Sequence, residues 1–150
     1  MTSISTAPDD DALQRFVTAQ QPVYAAALNE LKAGAKRTHW MWFVFPQVEG
    51  LGHSAMAQRY AIRSRDEATA YLAHPLLGAR LAECTRAVLD VRGRTAHQIF
   101  GSPDDVKFRS SMTLFDGIDG GALYRDALQR YFGSEADPAT LAVLARWRGG

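Results

Sequence analysis

Cysteine is nearly absent: Cys84 stands alone, so no internal disulfide can form. That suits a reducing compartment, and a cytoplasmic location is expected. An excess of charge of either sign is also missing. Seventeen basic and 16 acidic side chains leave a formal charge of +1. Dedicated nucleic-acid binders usually carry a basic excess, so no nucleic-acid partner is expected. No apolar stretch approaches the length of a membrane span, and no membrane partner is expected either. The N-terminal residues, Met-Thr-Ser-Ile-Ser-Thr-Ala-Pro-Asp-Asp-Asp, have neither a cationic start nor an apolar core, unlike a signal peptide.

Metal-ligand spacing is missing too. His39, His53, His74 and His97 form no paired pattern, and Cys84 has no partner. No metal and no cofactor are expected. Ser110 and Ser111 lack the strand–turn–helix setting of a hydrolase nucleophile. Gly50-Leu51-Gly52 is not followed by Gly-Lys-Ser/Thr, so it is no phosphate-binding loop. Repeats, linkers and low-complexity stretches are absent. Residues 1–10 read as a polar, disordered tail, and residues 11–150 as a single domain long enough to bury a core.

What the chain has is a dense aromatic segment, Lys36-Arg37-Thr38-His39-Trp40-Met41-Trp42-Phe43-Val44-Phe45-Pro46-Gln47. Two cations and a histidine run into six large apolar residues, which need a core or a ligand to cover them. Periodicity does not separate buried strand from buried helix over residues 40–45. No second strand pairs with it, so a short buried helix is the better reading.

Elsewhere the punctuation is helical. Asp10 or Asp11 can cap a helix carrying Leu13, Phe16 and Val17. Pro22 suits the first turn of a helix through Lys32, ended by Gly34. Ser64-Arg65-Asp66-Glu67 is a capping-box pattern, and His74-Pro75 breaks the helix it starts. Leu77, Leu81, Cys84, Val88 and Val91 recur in steps of four and three, a core-facing helix stripe. On that face Cys84 reads as an inert core thiol. Thr95 caps a short turn ending at Gly101. Ser102-Pro103-Asp104-Asp105 predicts a helix with Ser102 as cap, Pro103 first and acids against its positive end. Gly120-Gly121 opens a helix stopped by Gly133, and Asp137 caps a last one ending near Trp147. The fold class is all-α, a single compact domain of about seven to nine short helices.

Two constellations suit ligand binding. In the first, Arg37 and His39 sit at the mouth of the aromatic run, where an imidazole can bind an anion or move a proton. A histidine merely finishing the core edge is the plainer alternative. Trp40 and Trp42 can stack a flat ligand or simply be core; on a helix they point about 200° apart. Gln47 and His53 flank the glycine turn. In the second, Lys107, Arg109, Ser110, Ser111 and Thr113 place two cations and three hydroxyls within two turns. That suits an anion site. The alternative is a solvated face with hydroxyls bonded to the preceding turn.

The residues also resemble a known family. Residues 37–47, then Gly50-Leu51-Gly52, then residues 54–62, are similar to a bacterial family of unknown function whose members often carry the label "calpastatin". His74-Pro75-Leu76-Leu77-Gly78, Ile99-Phe100-Gly101, Asp104-Asp105-Val106-Lys107 and Ser110-Ser111-Met112-Thr113-Leu114-Phe115 extend the likeness. It implies an all-helical domain, supports the helical reading of residues 40–45, and brings no activity. Calpastatin itself is a long, disordered protease inhibitor, unlike this core-rich chain.

The expectation drawn from the residues is a pocket that binds a small anionic, nucleotide-like ligand. Its residues would be Arg37, His39, Trp40, Trp42, Gln47, Lys107, Arg109, Ser110 and Ser111. A hydrolase of an N-glycosidic, ADP-ribose-type bond is one alternative, with Asp104, Asp105 or Glu49 as its acid. A protein-interaction module is the other, and it predicts a large exposed apolar patch.

Overall fold

The computed structural model describes residues 10–149. Its helices are α1 (Asp10–Gln20), α2 (Tyr24–Lys32), α3 (Met41–Val44), α4 (Ala55–Arg59), α5 (Arg65–Ala73), α6 (Leu77–Asp90), α7 (Ala96–Phe100), α8 (Asp104–Gly117), α9 (Ala122–Phe132) and α10 (Pro138–Gly149). The fold is all-α. Among the described residues no strand forms; one isolated parallel bridge pairs Val48 with Ile62. The expected disordered tail falls on residues outside the described ones, apart from Asp10, where α1 begins. The side chains of Asp10 and Asp11, expected as caps, lie outside the description as well.

Among the described residues the ten helices exceed the expected seven to nine because of α4. It has five residues, none of them buried, so it carries no apolar stripe to read. Its signal is the cap alone: the Ser54 hydroxyl accepts from the Ala57 amide at 3.0 Å.

Residues 40–45 do form a buried helical turn, with Trp40 at its N-cap. The α6 stripe packs as read: Leu77, Leu81, Cys84 and Val88 are buried, and Val91 is half-buried just past the helix end. Burial pushes the Cys84 thiol up to about 12, as an inert core thiol requires. Thr95 and Gln98 complete a reciprocal capping box on α7. Gly34 and Gly133 end α2 and α9 with φ of +72° and +60°.

Three details differ from expectation. Pro22 lies before α2, because the first helical bond runs from the Ala27 amide to the Val23 carbonyl. Ser102 does not cap α8; Pro103 occupies the N-cap, and the Val106 and Lys107 amides donate to its carbonyl. The Ser64 hydroxyl accepts from the Glu67 amide at 3.0 Å, but the Glu67 carboxylate turns away to the Arg63 amide at 3.0 Å and to Arg15 at 3.4 Å. A carboxylate only 5% exposed needs that cation more than a reciprocal box.

One apolar cluster holds the helices together. Phe108 of α8 lies at its centre, with ring centroids 4.6 Å from Phe100, 5.0 Å from Phe45 and 6.1 Å from Phe132. The long α8 thereby packs against α7, α9 and α10 at once.

Glu30, near the end of α2, fixes the entry to α3. Its carboxylate accepts from the Arg37 and Thr38 amides, the Thr38 hydroxyl and the Trp40 indole N–H, at 2.6–3.0 Å. Burial alone would raise its pKa. Those hydrogen bonds outweigh it and hold the group at about 2, against an ordinary 4.5. A depressed carboxyl pKa stabilises the fold above the unfolded value and loses that contribution as pH falls through the folded one. Glu30→Gln is therefore expected to cost about 2 kcal/mol at pH 7, a figure discounted for the partial exposure of the site. The deficit should fade between pH 4.5 and pH 2. Urea melts across that range check it; an unchanged deficit at the acid end would show that charge is not the cause.

Candidate functional site

The first turn of α8 gathers charge beside the two tryptophans. Asp104 is shared by two lysines: Lys36 Nζ lies 2.8 Å from Oδ2 and Lys107 Nζ 3.7 Å from Oδ1. Each ammonium also sits over a ring, Lys36 at 4.9 Å from the Trp40 centroid and Lys107 at 5.4 Å from that of Trp42. The two cations differ in access. The Lys36 side chain is 6% exposed, that of Lys107 26%. Lys36 is thus built into the fold, whereas Lys107 keeps a donor face toward solvent.

That face borders a hollow of about 450 Å³. Its walls come from three parts of the chain. The segment after α3 and the start of α4 supply Gln47, Leu51, Gly52, His53, Ser54 and Ala57. The start of α8 supplies Pro103, Val106, Lys107 and Ser110, and the start of α10 supplies Asp137 and Ala139. The segment from Gln47 is held in place by backbone bonds: the Glu49 amide donates to the Ile62 carbonyl at 2.9 Å and the Ile62 amide to that of Gln47 at 2.8 Å. Gly52 lets the loop approach α4 closely, since a Cβ there would lie 2.6 Å from the Ala57 Cβ. The α10 wall is fixed to α8 where the Asp137 amide donates to the Thr113 hydroxyl at 2.9 Å.

Of the residues expected in the pocket, Gln47, Lys107 and Ser110 line this hollow. Ser110 is 2% exposed, and its hydroxyl donates to the Val106 carbonyl at 3.1 Å, the back-bonding that was the alternative reading. Trp42 is half-buried under Lys107. The others are placed elsewhere. Trp40 is fully buried in the core. Arg37 and His39 lie exposed on the stretch that Glu30 holds, outside the hollow's walls. Arg109 ties α8 to the α9–α10 connection: its guanidinium donates to the Glu135 and Ala136 carbonyls at 2.7 and 3.0 Å. Ser111 is buried with 0% exposure, and its hydroxyl makes no hydrogen bond among the described residues.

Sequence reasoning left Asp137 out of the pocket, whereas His53, beside the glycine turn, does line it. Asp137 carried only the signal of a helix cap, and a cap it is: Oδ2 accepts from the Thr140 amide at 2.9 Å and hydroxyl at 2.7 Å. Nothing local shows that α10 begins beside α8. Asp104, Asp105 and Glu49, the acids that sequence proximity suggested, do not line the hollow.

A larger groove of about 710 Å³ runs between α2 and α6, lined by Tyr24, Lys32, Arg80, Glu83, Arg86 and Asp90 among others. Size alone does not make it the better site. Its polar groups largely serve the fold: the Tyr24 hydroxyl donates to the Glu83 carboxylate, and the Arg80 guanidinium lies over the Tyr24 ring and bonds Gln20. Its charges alternate along α6 instead of converging. Among the described residues no group of three or more His, Cys, Asp or Glu side chains is arranged to hold a metal ion. No helix there is long and apolar enough to cross a membrane.

The crystal structure of the conserved hypothetical protein Rv1873 from Mycobacterium tuberculosis, at 1.38 Å, is similar to this chain. The two share 54% identity and a TM-score of 0.89, over 91% of this chain and 99% of that one. No curated protein matches. A family described as "Protein of unknown function (DUF1810)" matches residues 10–144, which hold every wall of the hollow and all but the end of α10, and the chain belongs to that family.

Proposed function

We propose that this protein binds a small anionic, nucleotide-like ligand in the hollow between α8, the 47–57 segment and the start of α10. The observation that carries the reading is Lys107: a cation only loosely paired, at 3.7 Å from Asp104, on the wall of a concave site. The volume of about 450 Å³ falls in the range of small-molecule sites. Leu51, Val106 and Ala139 add apolar surface that a ligand bonded to Lys107 would cover. Gln47 and His53 line the same hollow and would supply polar contacts. The lone buried cysteine suits a cytoplasmic protein, and the shared apolar cluster suits a single domain.

The alternatives fit less well. An interaction module needs a broad apolar patch, yet among the described residues the exposed large hydrophobics are Val106 and Leu141. A hydrolase needs its acid in the hollow. Asp137 is there, but one of its oxygens is committed to capping α10. The "calpastatin" label sits poorly with a walled pocket on a folded core.

Thermal shift with AMP and ADP-ribose tests the reading. A ligand at 100 times its dissociation constant stabilises by about 2.7 kcal/mol. Lys107→Ala should abolish the shift while leaving the unliganded melting temperature nearly unchanged, because Asp104 keeps Lys36. Added salt should weaken the shift. If the ligand shift persists in Lys107→Ala, the assignment of this hollow is wrong.

A further inference from the structure

The hollow is lined by one cation, Lys107, and by two hydrogen-bond acceptors, Ser110 and Asp137, and this narrows its ligand. Resting on the binding reading above, we infer that Asp137 selects the hydroxyl groups of a phosphorylated polyol whose anionic group lies at Lys107.

The argument is one of hydrogen-bond capacity. Ser110 spends its only O–H on the Val106 carbonyl, so toward the hollow it can only accept. Asp137 is likewise an acceptor. Both of its bonds from Thr140 reach Oδ2, and no hydrogen bond within the described residues reaches Oδ1. Both residues line the same hollow. A ligand made of acceptors alone, such as a bare phosphate, would cover these oxygens and leave them unsatisfied, and it would meet the Asp137 charge directly. The ligand must therefore bring donors to Ser110 and Asp137 and negative charge to Lys107.

Hydroxyls fit those donors better than an ammonium does. Asp137 sits at the N-terminus of the 12-residue α10 and is held by its Thr140 amide. The positive end of that helix already compensates its carboxylate and disfavours a second cation there. Neutral O–H groups use the free oxygen without that conflict. The position of the carboxylate is also fixed, since the Asp137 amide bonds Thr113 and its Oδ2 bonds Thr140 twice. A fixed acceptor discriminates ligands by what they can donate.

Calorimetric titration of the full chain with ribose 5-phosphate, methyl phosphate and 2-aminoethyl phosphate tests this. Ribose 5-phosphate is expected to bind at least about tenfold tighter than methyl phosphate, the range of one hydrogen bond to a charged group. Asp137→Asn should erase that preference while leaving methyl phosphate bound as well or better. Asn caps helices about as well as Asp, so the variant keeps its fold, which its melting curve verifies. Lys107→Ala should weaken both phosphates. If the two phosphates bind equally but still depend on Lys107, the hydroxyl inference fails and the anion pocket stands. A tighter 2-aminoethyl phosphate, or an Asp137→Asn variant that weakens both phosphates alike, also overturns the inference. If no probe binds, or Lys107→Ala changes nothing, the binding reading itself falls and the inference with it.

Discussion

Trp40→Ala is expected to destabilise the protein by about 3–5 kcal/mol, the range for removing a large buried aromatic. Trp40 has 0% exposure and contacts Phe45 with ring centroids 6.2 Å apart. Its loss would open a cavity that α3, a single turn, cannot close by itself. The indole N–H also donates to Glu30 Oε1 at 2.9 Å. Truncation removes that donor from a carboxylate that depends on several, and it strips the ring from beneath the Lys36 ammonium. Trp42→Ala should cost clearly less, because Trp42 is only half-buried. Denaturant melts of both variants decide the matter. If the Trp40 variant keeps near-native stability, the aromatic run is not the anchor that its burial implies. Trp40→Phe separates the two contributions. It keeps most of the apolar volume and loses the hydrogen bond, so its deficit should be smaller and should shrink as pH falls toward 2 and Glu30 protonates.

The same residues mark how far the sequence could be read. Residues 40–45 had to be covered, and their apolar density showed it. α6 was plain because 14 residues give its stripe time to repeat. α4 was not, since five residues with none fully buried show no period. Local rules also misplaced the Ser102 cap, because the chain enters α8 through the Pro103 carbonyl and not through a serine side chain. The site was legible in part. Gln47, Lys107 and Ser110 line one hollow, yet His39 does not join them. The polar start of the aromatic run is held by Glu30 from α2, a partner seven or more positions back on another helix. No local pattern reports such a contact. Asp137 shows the converse. Its capping chemistry was visible, whereas its second face, toward α8, exists only once the chain has folded.

Gly78→Ala should be destabilising by about 2 kcal/mol or more, against the usual trend. Alanine in a helix normally gains about 1 kcal/mol over glycine. Gly78 is the second residue of α6, where α6 crosses the end of α5. A Cβ there would lie 2.1 Å from the Leu72 carbonyl oxygen, well inside contact distance. The obstacle is backbone near the end of α5, so no rotamer change relieves it. The junction is also tied. The Leu76 and Leu77 amides donate to His74 Nδ1 at 3.1 and 3.2 Å, and the Gly78 amide donates to the His74 carbonyl at 2.9 Å. One methyl must therefore part α5 from α6, an overpacking that costs 1–3 kcal/mol in typical cores and more against rigid backbone. Gly93→Ala is the control: its φ of +74° carries a backbone cost of about 1–2 kcal/mol, but nothing lies within 4 Å of the added carbon. Chemical denaturation should rank Gly78→Ala as the more damaging of the two. A Gly78→Ala protein as stable as the parent would mean that α5 and α6 meet less closely than the Leu72 carbonyl implies.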